Sequence, residues 1–140
     1  MYTDAQLKDS LVSHPRHYIP DRRIEPCEVM ETWGLVHHHY LACAFKYLAR
    51  AGRKKNAVLD LNKALWYLRR FETIEDPRIS FLEEGSMTPH LLLSDWRIEP
   101  QTCRAKAFFA LYHFLQGREV STQKLQDIIQ QEITHLTKTH

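Results

Sequence analysis

Glycine is scarce in this chain of 140 residues, which contains only Gly34, Gly52, Gly85 and Gly117. These four are too scattered to form the GxxxxGK[ST] loop that cradles phosphates or the GxGxxG turn of a dinucleotide-binding fold. A GxSxG motif, which marks the nucleophile of many hydrolases, is also missing. The sequence therefore excludes a P-loop and a Rossmann fold, and it gives no support to nucleophilic hydrolysis.

Cysteine, net charge and long apolar runs are limited as well. Cys27, Cys43 and Cys103 are widely spaced and form no CxxC pair, which argues against a disulfide framework or a zinc ribbon and predicts buried or half-buried free thiols. A net charge of +2 is too small for coating extended nucleic acid, so any anion must be bound by a local cluster of basic residues. Without a signal-peptide core or a membrane-spanning run, we expect a cytoplasmic protein with no membrane partner.

The composition is that of an ordinary globular protein, with 44% hydrophobic and 26% charged residues, so the chain should fold as a single domain over 1–140. We expect an all-α, single-domain bundle of about five helices. A His/Arg/Tyr-rich arm would form residues 1–23, a helical core residues 24–71, and a C-terminal helical pair residues 97–138. Pro77, Gly85 and Pro89 predict a long irregular loop near 75–96, with room for one short helix or strand.

Helix boundaries follow from caps and periodicity. The first helix should open at Glu25-Pro26 and end at Gly34, and the second should run from Val36 to Ala51. A third should follow the basic turn and continue to about Phe71, a fourth should run from Glu99 to Gln116, and a fifth should run from the N-cap Ser121 towards His135. The expected buried positions are Leu41, Ala44, Phe45 and Leu48 on the second helix, Val58, Leu61, Leu65 and Leu68 on the third, and Trp33 and Trp66.

A row of cations is the strongest functional signal in the residues themselves. Lys46, Arg50 and Arg53 lie at i, i+4 and i+7, opposite the apolar stripe of the second helix. The third helix carries a polar face of its own, formed by Asp60, Lys63, Tyr67 and Arg70. If the two helices pack antiparallel, these faces adjoin and form a phosphate-sized pocket. The alternative is a solvated basic surface with exposed ion pairs.

Histidines add a second, weaker signal. His14, His17 and Tyr18 lie in the arm and could close over a ligand, with His17 as a proton-transfer group. His37, His38 and His39 are consecutive, and consecutive helical residues point in different directions, so no metal site is predicted there. Of the three, His39 shares the side of Lys46 and Arg50.

Ordered sequence blocks resemble the DUF3310 family of small proteins, which come mostly from bacteriophages. The blocks are an arm, His14-Pro15-Arg16-His17-Tyr18, a helix opening, Ile24-Glu25-Pro26, and two helical blocks, Lys46-Tyr47-Leu48-Ala49-Arg50-Ala51-Gly52-Arg53-Lys54 and Asp60-Leu61-Asn62-Lys63-Ala64-Leu65-Trp66-Tyr67-Leu68. Members are described as nucleotide kinases by similarity to a phage enzyme that phosphorylates deoxynucleoside monophosphates without a Walker motif. The resemblance thus implies that Lys46, Arg50, Arg53, Lys63 and Arg70 form a binding site. Together with the residue pattern, the predicted phosphate-binding set comprises His14, His17, Tyr18, Lys46, Arg50, Arg53, Lys54, Lys63, Tyr67 and Arg70.

Three functions remain open from the sequence. The first is a kinase-like phosphotransferase acting on a nucleotide, with Asp60 or His17 as proton acceptor and ATP and Mg²⁺ as co-substrates, although the sequence itself requires no cofactor. The second is a non-catalytic sponge that sequesters a nucleotide signal of host antiphage defence in the host cytoplasm. The third is a structural or host-interaction module that assembles into a homo-oligomer through Phe108, Phe109, Tyr112 and Leu115.

Overall fold

The computed structural model describes residues 23–51, 56–75, 77 and 79–138. Within these ranges the chain forms six α-helices and one short 3₁₀ helix, and no β-strand. The elements are α1 (Pro26–Thr32), the 3₁₀ helix (Leu35–His37), α2 (His39–Arg50), α3 (Ala57–Glu72), α4 (Pro89–Trp96), α5 (Cys103–Leu115) and α6 (Thr122–Lys138). The all-α class is therefore confirmed. The predicted arm lies outside the described residues except for Arg23.

The four longest helices form a closed bundle. α2 packs most extensively against α3, α3 also packs against α6, α6 packs against α5, and α5 in turn contacts α2. The shorter α1 and α4 contact α2 and α5, respectively. Every α-helix contributes at least one side chain to a single hydrophobic core, so the bundle buries one apolar stripe of each helix against its neighbours.

Helix α1 begins and ends where the sequence predicts. The Glu25 backbone N–H donates to the Glu28 carboxylate at 3.1 Å, and Pro26 occupies the first turn, where its missing N–H has no cost. Gly34 follows the helix with φ of +72°, a left-handed conformation that is readily available only to glycine.

Helix α2 begins three residues later than predicted. Residues Leu35–His37 form the 3₁₀ helix, and His38 then adopts an extended conformation with φ of −140° and ψ of 102°. This break turns the His38 ring towards Phe71, with the ring centroids 4.6 Å apart and the planes at 67°. The preference for packing His38 against α3 thus interrupts a helix that the residue pattern alone would continue.

Helix α4 occupies the end of the segment that the sequence predicted as irregular. The Thr88 hydroxyl accepts from the backbone N–H of Leu91 at 3.4 Å, and Pro89 takes the first helical position. Leu92 and Leu93 of this helix are buried in the hydrophobic core. These contacts add a sixth helix to the five that were expected.

Helix α5 begins at Cys103, and the predicted start at Glu99 is wrong. The Thr102 hydroxyl accepts from the backbone N–H of Ala105 at 3.3 Å and so caps the helix. The same hydroxyl donates to the Glu99 carbonyl at 2.8 Å, which places Glu99 in a turn before the helix. The Glu-Pro pair therefore opens a helix at its first occurrence and a turn at its second.

The two tryptophans expected in the core differ in their exposure to solvent. Trp33 is only 1% exposed, and its indole N–H donates to the Met87 carbonyl at 2.8 Å. Trp66 is 55% exposed, so its assignment to the core is wrong. Trp66 follows the buried Leu65 by one residue, about 100° around the helix axis, which points it away from the core stripe of α3.

The large apolar residues of α5 that were expected to form an oligomer face are mostly buried. Phe108, Tyr112 and Leu115 are 0%, 4% and 2% exposed, and Phe109 is half-buried, because this side of α5 faces the interior of the bundle. Phe108, Tyr112 and Leu115 are therefore not available to form an oligomer face, and the oligomeric state itself stays a prediction.

Long-range hydrogen bonds attach the ends of helices to one another. The Ile24 backbone N–H donates to the Asp95 carboxylate at 2.7 Å, and the Trp96 indole N–H donates to the Ile24 carbonyl at 2.7 Å. Arg104 donates to the carbonyls of Leu48 at 3.1 Å and Ala49 at 2.9 Å, in the last turn of α2. No helix among the described residues has the length and apolar character needed to cross a bilayer.

Candidate functional site

The candidate site is the outer face of the α2–α3 pair, which we call the cationic face and define by His39, Tyr40, Cys43, Lys46, Tyr47, Arg50, Asp60, Lys63, Trp66, Tyr67 and Arg70. The two helices run antiparallel, so the end of α2 meets the start of α3. The Arg50 guanidinium Nε lies 3.5 Å from Asp60 Oδ2 as a result. The predicted meeting of the two polar helix faces is thus present in the structure.

The capped N-terminus of α3 positions Asp60. The Asn56 side chain accepts from the Leu59 backbone N–H at 2.9 Å and caps the helix, which places Asp60 in its first turn. A carboxylate is stabilised there by the positive end of the helix dipole. Asp60 is 3% exposed, whereas the Arg50 side chain is 51% exposed. The buried carboxylate therefore anchors a cation whose other side faces solvent.

Tyrosine rings contact two further cations of the face, Lys63 and Arg70. The Lys63 ammonium lies 5.2 Å from the centre of the Tyr47 ring, and the Arg70 guanidinium lies 6.0 Å from the centre of the Tyr40 ring. Tyr47 and Tyr67 are stacked with centroids 6.0 Å apart and planes within 10°. Such cation–π contacts restrict long side chains that would otherwise sample many rotamers. The charged groups of Lys63 and Arg70 are thereby oriented while remaining exposed.

Tyr67 lies at the centre of the face and stays a neutral phenol at neutral pH. The adjacent Cys43 raises the pKa of Tyr67 above its ordinary value of 10.0, and partial burial and the neighbouring Tyr47 raise the pKa further. A protonated phenol can donate a hydrogen bond to a phosphate oxygen, which a phenolate cannot. The predicted ligand-binding role of Tyr67 is compatible with this state.

His39 lies on the same side, as the sequence suggested. Its imidazole Nε2 is 3.7 Å from the Cys43 sulfur, and its ring centroid is 6.3 Å from that of Tyr67. Lys46 is exposed one turn before Arg50 on the same helix. His39 and Lys46 therefore extend the cationic face along α2.

Several predicted site residues lie outside the described residues. These are His14, His17 and Tyr18 of the arm and Arg53 and Lys54 of the turn between α2 and α3. Their roles stay predictions. The structure thus brings together Arg50, Asp60, Lys63, Tyr67 and Arg70, with Lys46 beside them.

The sequence reading missed Tyr40 and Tyr47 and misplaced Trp66. Tyr40 and Tyr47 are separated by seven residues, which places them on one side of α2, next to the Lys46–Arg50 row. Their spacing was therefore a usable signal.

A small cavity of about 30 Å³ lies beside His38. It is lined by residues of the 3₁₀ helix and by Leu41, Ile79 and Leu115. His38 Nδ1 is buried and has no hydrogen-bond partner among the described residues. Burial lowers the pKa of His38 below 6.5, and the nearby His39 lowers the pKa further. His38 is therefore a neutral residue that packs against the interior, whereas His39 is exposed.

The cysteines are free and half-buried, as predicted. Burial raises the pKa of the Cys103 thiol to about 12, with a further contribution from Glu132. Burial also raises the pKa of Cys27, as does the hydrogen bond to Glu25. Within the described ranges, no group of three or more His, Cys, Asp or Glu side chains is arranged to hold a metal ion.

Comparison with known proteins gives one match. A family model described as "Protein of unknown function (DUF3310)" matches residues 12–69, a segment that contains α1, α2 and all but the last turn of α3. No curated protein and no solved structure matches the chain. The matched segment contains every residue of the cationic face except Arg70.

Proposed function

From the cationic face, most of which lies in the segment 12–69 that matches the DUF3310 family, we propose that this chain is a nucleotide-binding protein. The observation that carries the proposal is the convergence of cations from two antiparallel helices on one exposed face, with Arg50 anchored by the buried Asp60 at 3.5 Å. Arginine and lysine side chains that are already oriented lose less conformational entropy when they bind phosphate oxygens.

The bound nucleotide would be held by groups of complementary chemistry. Arg50, Lys63, Arg70 and Lys46 would contact the phosphates, and the Tyr67 hydroxyl would donate to a phosphate oxygen. Positive charges on one face repel each other, and the Asp60 carboxylate pairs with Arg50 alone, so a di- or triphosphate would stabilise the arrangement.

Phosphoryl transfer to a deoxynucleoside monophosphate is the activity that we propose for this site. Such transfer depends chiefly on positioning and on neutralising charge in the transition state, which a cluster of Arg and Lys supplies. In this function Asp60 is a positioning residue for Arg50, because a buried carboxylate paired with a guanidinium is poorly placed to accept a proton from substrate. The proton acceptor would then be His17, with ATP and Mg²⁺ as co-substrates.

Sequestration without catalysis is the second candidate. The observation that favours it is the engagement of Asp60 with Arg50, which occupies the one carboxylate that we assign to the face. A sponge that captures a nucleotide signal of host antiphage defence needs the cations and aromatic rings but no proton acceptor.

Binding is tested by two matched variants, Arg70→Ala and Arg69→Ala. Both remove one positive charge from an exposed position of α3, but only Arg70 contacts Tyr40 and Trp66. Loss of a charge-assisted hydrogen bond of about 1.5–3 kcal/mol should weaken nucleotide binding about 10- to 150-fold in Arg70→Ala, as measured by calorimetry. Arg69→Ala should change affinity little. Equal affinities for the two variants would refute the assignment of the face.

The two activities are separated by one incubation. The protein is mixed with nucleoside monophosphates, triphosphates and cyclic nucleotides, with and without magnesium, then heat-denatured, and the soluble nucleotides are chromatographed. New phosphorylated species that disappear with Arg50→Ala would establish the transferase. A nucleotide that is depleted before heating and recovered intact afterwards would establish sequestration. If no new species forms and no nucleotide is depleted, nucleotide binding is refuted altogether.

A further inference from the structure

Trp66 has an unusual position for an indole. Five large hydrophobic side chains are exposed among the described residues, and Trp66 is the largest of them, with 55% of its surface accessible. Single exposed apolar residues are common and by themselves indicate nothing. The surroundings of Trp66 are what distinguish it from the other four.

Aromatic and cationic side chains fix the orientation of this indole. Tyr67 contacts it edge-on, with centroids 5.0 Å apart and planes at 89°. The Arg70 guanidinium lies 5.8 Å from the centre of the indole and 6.0 Å from the centre of the Tyr40 ring. The indole is therefore braced by neighbours while more than half of it remains open to solvent.

Trp66 also lies between two cations on the same helix. Lys63 is three residues before it and Arg70 is four residues after it, so each is a neighbour on the helix surface. A planar ring flanked by cations one turn away on either side matches the shape of a nucleotide, in which a planar base is linked to nearby phosphates. Charge and shape are thus both complementary to that ligand.

We propose that the exposed indole of Trp66 is the base subsite of the cationic face, on which the nucleobase stacks while the phosphates contact Arg70 or Lys63. This inference rests on the proposed nucleotide-binding function and deepens it. Stacking accepts any base because every base has a π-face, so the subsite supplies affinity more than selectivity among bases.

The test compares a ligand that has a base with one that has only phosphates. ATP and inorganic tripolyphosphate are titrated into the full chain by calorimetry. Trp66→Ala should weaken ATP binding about 5- to 150-fold, the range measured for loss of one base–aromatic stack. Its affinity for tripolyphosphate should not change. Leu59→Ala is the matched control, because Leu59 is 47% exposed on α3, two turns from Trp66, and carries no ring.

Tryptophan fluorescence gives a second, independent readout. Trp33 is 1% exposed and Trp96 is half-buried, so a stacked base would quench mainly Trp66. ATP should therefore quench the wild-type emission, and Trp66→Phe should bind ATP but lose most of that quenching. Since Trp66 contributes little to the core, circular dichroism of both variants should match that of the wild type.

The outcomes separate failure of the subsite from failure of the function. If the wild-type protein binds neither ATP nor tripolyphosphate, the proposed function fails and the subsite fails with it. If both ligands bind equally and Trp66→Ala alters neither, only the base subsite is refuted. If Trp66→Ala converts a dimer into a monomer in light scattering without altering ATP affinity, the indole belongs to an interface between copies and the subsite is likewise refuted.

Discussion

The pairing of Arg50 with Asp60 makes a quantitative prediction about stability. At 3.5 Å, the attraction between two unit charges is about 1.2 kcal/mol at the dielectric constant of water and about 4.7 kcal/mol at an effective value of about 20. Asp60 is buried but Arg50 is 51% exposed, so the pair lies towards the aqueous limit. We expect a coupling energy of about 1–2 kcal/mol, above the range typical of fully exposed pairs.

A double-mutant cycle measures this coupling. Arg50→Ala leaves the Asp60 carboxylate buried without its partner, which should lower the free energy of unfolding by about 1–3 kcal/mol. Asp60→Asn in the same chain removes the stranded charge and should recover part of that loss. Urea denaturation of the wild type, both single variants and the double variant at neutral pH provides the four free energies.

The same four proteins report on the function of Asp60. If Asp60 acts by positioning Arg50, Asp60→Asn should weaken nucleotide binding in the wild-type background and have no further effect once Arg50 is alanine. Two results would refute the reasoning: changes in unfolding free energy that simply add, with coupling below about 0.5 kcal/mol, or an effect of Asp60→Asn on binding that persists in the Arg50→Ala background.

Two further predictions concern pH and backbone conformation. Because burial lowers the pKa of folded His38 below 6.5, the unfolded chain takes up this proton first, so stability is lost as the pH falls from 6.5 towards the folded pKa. The drop in unfolding free energy between about pH 7.5 and about pH 5.5 should therefore be smaller in His38→Gln, and an equal drop would contradict it. Gly117→Ala and Gly34→Ala both place alanine at positive φ, +77° and +72°, which should cost about 1–2 kcal/mol each. Gly117→Ala should cost more in denaturant unfolding, because its Cβ would lie 3.0 Å from the Phe81 ring whereas nothing lies within 4 Å at Gly34. Equal costs would show that the ring moves away freely and would contradict the prediction.

Local signals in the sequence were sufficient for most helix ends. Helix α1 begins at Pro26 and ends just before Gly34, as predicted. At the start of α6, the Ser121 hydroxyl accepts a hydrogen bond from the Lys124 backbone N–H at 3.2 Å. These signals work because a cap is satisfied by residues three or four positions away. The start of α5 was missed because Glu99-Pro100 and Thr102 are both good openings, and local sequence does not rank them.

The cationic face was predictable in part. Lys46 and Arg50 share a side of α2 through helix periodicity alone, and the short turn to α3 favoured the antiparallel packing that brings Asp60 to Arg50. Trp66 was misplaced, although its position one residue after the core residue Leu65 already pointed it away from the stripe. The hydrophobic character of tryptophan favours burial, but the position of Trp66 on the helix decides its exposure.

The sequence by itself determined that the described part of the chain is all-α, where most of its helices begin and end, and which sides of α2 and α3 are apolar. Each of these features depends on neighbours within one or two helical turns. Only the tertiary structure decided that His38 breaks the entry to α2 by packing on Phe71, that Arg104 of α5 holds the end of α2, and that Trp66 is left in solvent beside Arg70. Those features depend on contacts between residues far apart in the chain, whose meeting is set by how the four long helices close into one bundle.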